Sequence, residues 1–130
     1  MKNTRELACA CLGTAITIAL FYVGLEPAAG RLFDGWPLQA LWHYTGHVAI
    51  FALLGLIWTA ALPRAAPVAV AAGIVAFGFL HEALEIAGHA HRFEIYDACA
   101  DGLGAIVGVL AANTAFEAVF MPPRRAERQD

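Results

Sequence analysis

The ionisable side chains of this sequence recur at helical spacing. His43 and His47 are four residues apart, as are His81 and Glu85, and Asp97 and Asp101, while Glu82 precedes Glu85 by three. Residues three or four apart share one face of an α-helix, so each set would turn two ionisable groups to one side. Imidazole beside carboxylate is the pairing that general acid–base catalysis uses. His47, Glu82, Glu85, Asp97 and Asp101 are therefore the candidate catalytic residues. Arg92 supplies a cation for an anionic group, and His81 and His43 join it as candidate substrate-binding residues. Two histidines at this spacing with carboxylates are also adequate ligands for zinc. The sequence contains no His-Glu-x-x-His string. Zinc is thus the lesser reading and haem on His47 and His81 a weaker one, and no metal or cofactor is assigned from sequence. His89 and His91 read as solvated loop histidines, and Glu26, Arg31 and Asp34 as a solvated loop.

The elements that carry these residues are apolar. Hydrophobic residues make up 60% of the 130-residue chain and charged residues 15%, against roughly 45–50% and 25% in soluble domains. Mean hydropathy is +0.63. A soluble core of this size cannot hide so much apolar surface, whereas a bilayer can solvate it. The net charge of −3 and the lack of a basic stripe with interleaved aromatics exclude a nucleic-acid footprint. Cys9, Cys11 and Cys99 do not form a disulfide framework and read as small packing residues.

Of four apolar stretches, the first and fourth reach the roughly 20 residues needed to cross the hydrocarbon layer, and the second and third do so if their polar outer turns continue the helix. The sequence predicts an all-α membrane bundle of four transmembrane helices over about 6–25, 40–62, 66–88 and 97–121, with a charged tail over 122–130. The chain reads as a single domain, 1–130. Helix is the default in lipid because each backbone polar group must be satisfied within its own segment. The turn from Pro63 to Pro67 makes spans two and three an antiparallel hairpin. Gly104 and Gly108 continue the stripe of Asp97 and Asp101 as small residues for close helix packing. Trp36, Trp42, Tyr44 and Tyr96 suit an interfacial aromatic belt, and Glu117 lies near the opposite interface.

Orientation follows from the basic residues. Lys2, Arg5, Arg64, Arg124, Arg125 and Arg128 fall on one side, and only Arg31 and Arg92 on the other. Both termini are expected in the cytoplasm, and all the candidate site residues at the outer ends of the spans. Lys2 and Arg5 also precede the first span in the manner of a signal peptide, but the apolar run is long and Pro27-Ala28-Ala29-Gly30 is a poor cleavage site. The first span is expected to be retained.

The same residues carry a resemblance to VanZ-like membrane proteins. His47-Val48-Ala49-Ile50-Phe51-Ala52-Leu53-Leu54-Gly55 is similar to the histidine-led second helix of that family, and Glu82-Ala83-Leu84-Glu85 to its Glu-x-x-Gln. The stretch from Arg92 to Gly108 resembles its Arg…Asp-x-x-x-Asn-x-x-Gly-x-x-x-Gly signature. His47, Glu82, Asp97, Gly104 and Gly108 match directly. Glu85 stands where Gln is usual, Asp101 where Asn is usual, and Arg92 is one residue off, with His91 in the usual place. His43 and Tyr44 replace an acidic residue and a lysine. The departures make this chain more acidic and richer in histidine. The resemblance covers residues 41–110. It implies a multi-pass protein of the bacterial inner membrane, linked through the family name to glycopeptide resistance of the teicoplanin type, and it supplies no reaction.

Two functions follow as expectations. In the first, an outward-facing site binds or modifies a cell-envelope lipid or lipid-linked precursor, with the bilayer as the other partner and an oligomer compatible with the sequence. In the second, the polar network has a non-enzymatic role in packing, transport or proton relay. The inner half offers few polar groups, chiefly Thr14, Thr17, Thr59, Asn113, Thr114 and Glu117, which disfavours a relay through one chain.

Overall fold

The computed structural model of the protein describes residues 3–28, 35–89 and 92–120, with His89 and 116–120 described by backbone alone. The expected tail at 122–130, the basic residues Lys2 and Arg31, Asp34 and His91 lie outside the described residues, as do the side chains of His89 and Glu117. Four helices follow one another: α1 (Thr4–Leu25), α2 (Gln39–Ala61), α3 (Pro67–His89) and α4 (Ile95–Phe120). All four are long and apolar enough to cross a membrane; at 1.5 Å per residue a 22-residue helix spans about 33 Å. The chain is a multi-pass membrane protein by this criterion.

Local chemistry sets the helix ends. α1 starts at Thr4 because the Asn3 side chain accepts the backbone N–H of Arg5, capping a terminus whose first donors have no partner in the helix. Gly35 and Leu38 adopt left-handed conformations, at φ 79° and 58°, and turn the chain into α2. Pro67 opens α3, where a missing N–H costs nothing. The Glu94 carbonyl accepts the N–H groups of Asp97 and Ala98 and so starts α4 two residues before the expected position.

Packing departs from chain order. α2 lies most closely against α4, and only lightly against α3, its neighbour across the Pro63 turn. The reason is glycine. A Cβ on Gly108 would fall on the Ala52 carbonyl, and one on Gly104 on that of Val48. From the other side, a Cβ on Gly55 would stand 2.7 Å from the Ala105 carbonyl oxygen. The two backbones therefore touch, which suits van der Waals packing and Cα–H···O contacts in lipid. Gly104 and Gly108 are helix-packing residues in the structure, as their spacing predicts.

The core is small. Phe51, Leu54, Val70, Ile74, Ala105 and Val109 form it. The outer faces stay apolar: α4 exposes Leu103, Ile106, Val107 and Leu110. Large aliphatic side chains turned outward on a helix whose opposite face is buried glycine and alanine are what lipid solvation requires. α1 buries only Gly13 and Gly24. Gly13 receives the Trp58 indole, whose N–H donates to the Thr17 hydroxyl at 3.4 Å. An apolar crevice of about 290 Å³ remains between α1, α2 and α3, bordered by Leu54, Trp58, Ile74 and Phe77.

Gly108→Val drives a side chain into the Ala52 carbonyl and should lower stability by about 1–3 kcal/mol, the range for an overpacked core. Gly73→Ala, placed where nothing lies within 4 Å, should leave stability unchanged. Thermal or denaturant unfolding of the detergent-solubilised chain measures both; equal effects would contradict the close α2–α4 contact.

Candidate functional site

The beginnings of α2 and α4 and the end of α3 meet at one end of the bundle. Two rungs join α2 to α4 there. His43 Nε2 lies 3.0 Å from Asp97 Oδ2, and His47 Nδ1 lies 2.8 Å from Asp101 Oδ1. Both pairs are 54 residues apart in sequence, so α2 and α4 run in parallel and in one register. The His43 and Asp97 side chains are 34% and 4% exposed, those of His47 and Asp101 11% and 2%. The site is thus open at the first rung and closed at the second.

α3 completes it. His81 Nε2 approaches Glu85 Oε1 at 3.5 Å one turn further on. Glu82 is buried, and its carboxylate accepts the backbone N–H of Glu94, which ties the end of α3 to the cap of α4. The carboxylates of Glu82, Glu85 and Asp97 offer oxygens within 4.8 Å of one another. His43, His47 and Asp97 likewise bring one ligand atom each within 4.8 Å. Asp97 belongs to both groups and sits in the first turn of α4, where the helix dipole favours negative charge.

The structure therefore brings together His43, His47, His81, Glu82, Glu85, Asp97 and Asp101, all drawn from the sequence. Arg92 is different. It is exposed and takes no part in the three histidine–carboxylate pairs. Histidines pair with Asp97 and Asp101, and a backbone N–H with Glu82. Trp36, Trp42, Tyr44 and Tyr96 gather at this end, with Trp36 edge-on to Trp42 and Tyr44 edge-on to Tyr96.

Residues the sequence did not single out complete the geometry. A Cβ on Gly78 would lie 3.0 Å from the Asp101 Cβ, so glycine lets Asp101 rest against the α3 backbone. Its position three residues before His81, on the site face of α3, is the signal that could have found it. A Cβ on Gly24 would stand 3.1 Å from His81 Nδ1, and Gly88 abuts the backbone of Gly24 and Leu25, which seats α1 beside the site. Phe51 and Phe77 stack at 6.1 Å, and both rings lie within 6.3 Å of the His81 ring. They floor the site with hydrocarbon.

Asp101 is almost fully buried, and a hydrogen bond to a charged group contributes about 1.5–3 kcal/mol, so His47 offsets part of the cost of burying it. Chemically the arrangement offers proton acceptors and donors in graded access to one surface. Beneath it the core is apolar; in the other half Asn113 and Thr114 bond to carbonyls of their own helix, those of Val109 and Ala111, and the Trp58 indole donates across to Thr17.

A double-mutant cycle on His47→Ala and Asp101→Ala should give a coupling energy of about 1–2 kcal/mol, near the upper end for polar pairs in membranes. The half-exposed His43–Asp97 pair should give less than about 1 kcal/mol. Equal couplings, or none at the inner pair, would show that the graded burial does not govern the energetics.

No family model, no curated protein and no solved structure matches this chain, so its function is read from the geometry above.

Proposed function

We propose that this is a VanZ-like protein of the bacterial inner membrane, with both termini cytoplasmic and the polar end facing outward. There it binds or modifies a lipid or lipid-linked envelope precursor. The observation that carries the reading is the two-rung imidazole–carboxylate ladder, open to one surface and closed below, at the end of a bundle that is apolar along the rest of its length. Such a site meets the bilayer at head-group depth: His47 lies about 12 Å from the start of α2 at 1.5 Å per residue.

The side chains take roles by position. His47 or His81 acts as base, and Glu82, Glu85, Asp97 and Asp101 orient the imidazoles or supply acid. His43 and the exposed Arg92 stand at the open rim, where a cation meets an anionic head group. The orientation rests on the bias of Lys2, Arg5, Arg64, Arg124, Arg125 and Arg128 to one side. The apolar crevice supports a lipid as ligand. It borders Phe77, whose ring underlies His81, so an acyl chain there would lie within one bundle radius of the acid–base groups.

Lipid extracts and envelope precursors from deletion and wild-type cells should differ in at least one lipid or lipid-linked species. Glu82→Gln combined with Asp97→Asn should reproduce the deletion at unchanged membrane abundance. Arg92→Gln should weaken binding of an anionic lipid about tenfold, the equivalent of one charge-assisted hydrogen bond, as read by native mass spectrometry. Full complementation by the double variant sinks the proposal.

A further inference from the structure

We infer that His43, His47 and Asp97 form a binding site for a divalent transition-metal ion of the zinc class. This deepens the reading of the same polar site and rests on it only for the location, since neither a lipid nor an orientation in the membrane is needed for metal binding.

The geometry has the ingredients of such a site. His43 and His47 present their rings from one face of α2, with centroids 4.7 Å apart and planes tilted by 52°. Together with Asp97 they bring three ligand atoms within 4.8 Å of one another. Two ligand atoms on a tetrahedral zinc with bonds of 2.0–2.1 Å are about 3.3 Å apart. His43 Nε2 and Asp97 Oδ2 stand at 3.0 Å, so an ion enters between them with a shift of tenths of an ångström. His47 closes the set by a side-chain adjustment within its own helix turn.

The surroundings suit a metal as well. Asp101 accepts a hydrogen bond from His47 Nδ1 at 2.8 Å. In the neutral ring this leaves the lone pair on Nε2. A carboxylate that fixes the tautomer and orientation of a ligating histidine is the usual outer support of a zinc site. Nitrogen ligands with one carboxylate favour zinc and its neighbours over magnesium or calcium, which take oxygen. Charge points the same way. Four carboxylates, Glu82, Glu85, Asp97 and Asp101, are gathered here, and a doubly charged ion beside Asp97 offsets their negative charge. His43, 34% exposed, gives the ion access from the surface.

The test uses the full chain in detergent, stripped with chelator and then loaded with zinc or, separately, with cobalt. Carrying Cys9→Ser, Cys11→Ser and Cys99→Ser together removes thiols as competing ligands. One equivalent of zinc per chain should survive gel filtration, and cobalt should show the intense visible absorption of a tetrahedral site. His43→Ala, at the more exposed of the two rungs, should weaken zinc binding at least about tenfold and abolish the rise in melting temperature that zinc gives the parent. Asp101→Asn should weaken it less than His43→Ala does. Less than about a tenth of an equivalent in the parent, or unchanged zinc binding in His43→Ala that elutes and melts as a folded species, overturns the inference. Zinc binding without any lipid change in the deletion strain would retain the metal site and remove the lipid reading; the reverse result would do the opposite.

Discussion

Everything at the polar end depends on how closely the α2 and α4 backbones approach. Gly104 and Gly108 accept the carbonyls of Val48 and Ala52 where any side chain would collide, and Gly55 does the same for Ala105. Helices held at that separation carry histidines and aspartates within hydrogen-bond reach. Helices one methyl group further apart do not. The two rungs share a single sequence offset, and the glycine contacts continue along the same seam. A slip of one residue along it would misplace the rungs and the glycines together, so packing and polar pairing specify one alignment. In a bilayer, where apolar side chains gain little from choosing each other over lipid, that joint specification replaces the hydrophobic driving force a soluble bundle would use.

Polarity is distributed to match. The upper turns hold acids and imidazoles, and the next layer down is Phe51 and Phe77, followed by Leu54, Ile74, Val70 and Val109. His43 is the more exposed of the paired histidines, and the phenyl rings lie against His81 beneath the site. Asn113 and Thr114 bond to carbonyls of their own helix.

Much of this was legible in the sequence, for identifiable reasons. The spans stand out because hydrocarbon tolerates few polar residues, and the same-face pairs because the helical period is fixed. Gly104 and Gly108 were readable as a stripe continuing from Asp101. The partner of each group was not readable. That His43 meets Asp97 and His47 meets Asp101 is a fact of register between helices separated by a hairpin, and local spacing carries no information on it. The short Pro63 turn suggested α3 as the natural neighbour of α2, whereas backbone fit to glycine makes α4 the closer one. Arg92 looked like the counter-charge by type, yet its position at the head of α4 leaves it exposed. Gly24 escaped notice because a glycine inside an apolar run signals nothing until the helix facing it is known, and Gly78 because only its spacing from His81 marks it.

The order in which the chain is made gives the rungs a further consequence. α2 emerges from the ribosome before α4, so His43 and His47 enter the bilayer when no aspartate partner yet exists. An imidazole can cross as a neutral ring, which a carboxylate at neutral pH does not do as readily. Placing the histidines on the earlier helix and the aspartates on the later one lets each aspartate arrive with its donor already in place. The reverse assignment would leave two unpaired anions waiting in the membrane through the synthesis of a whole hairpin.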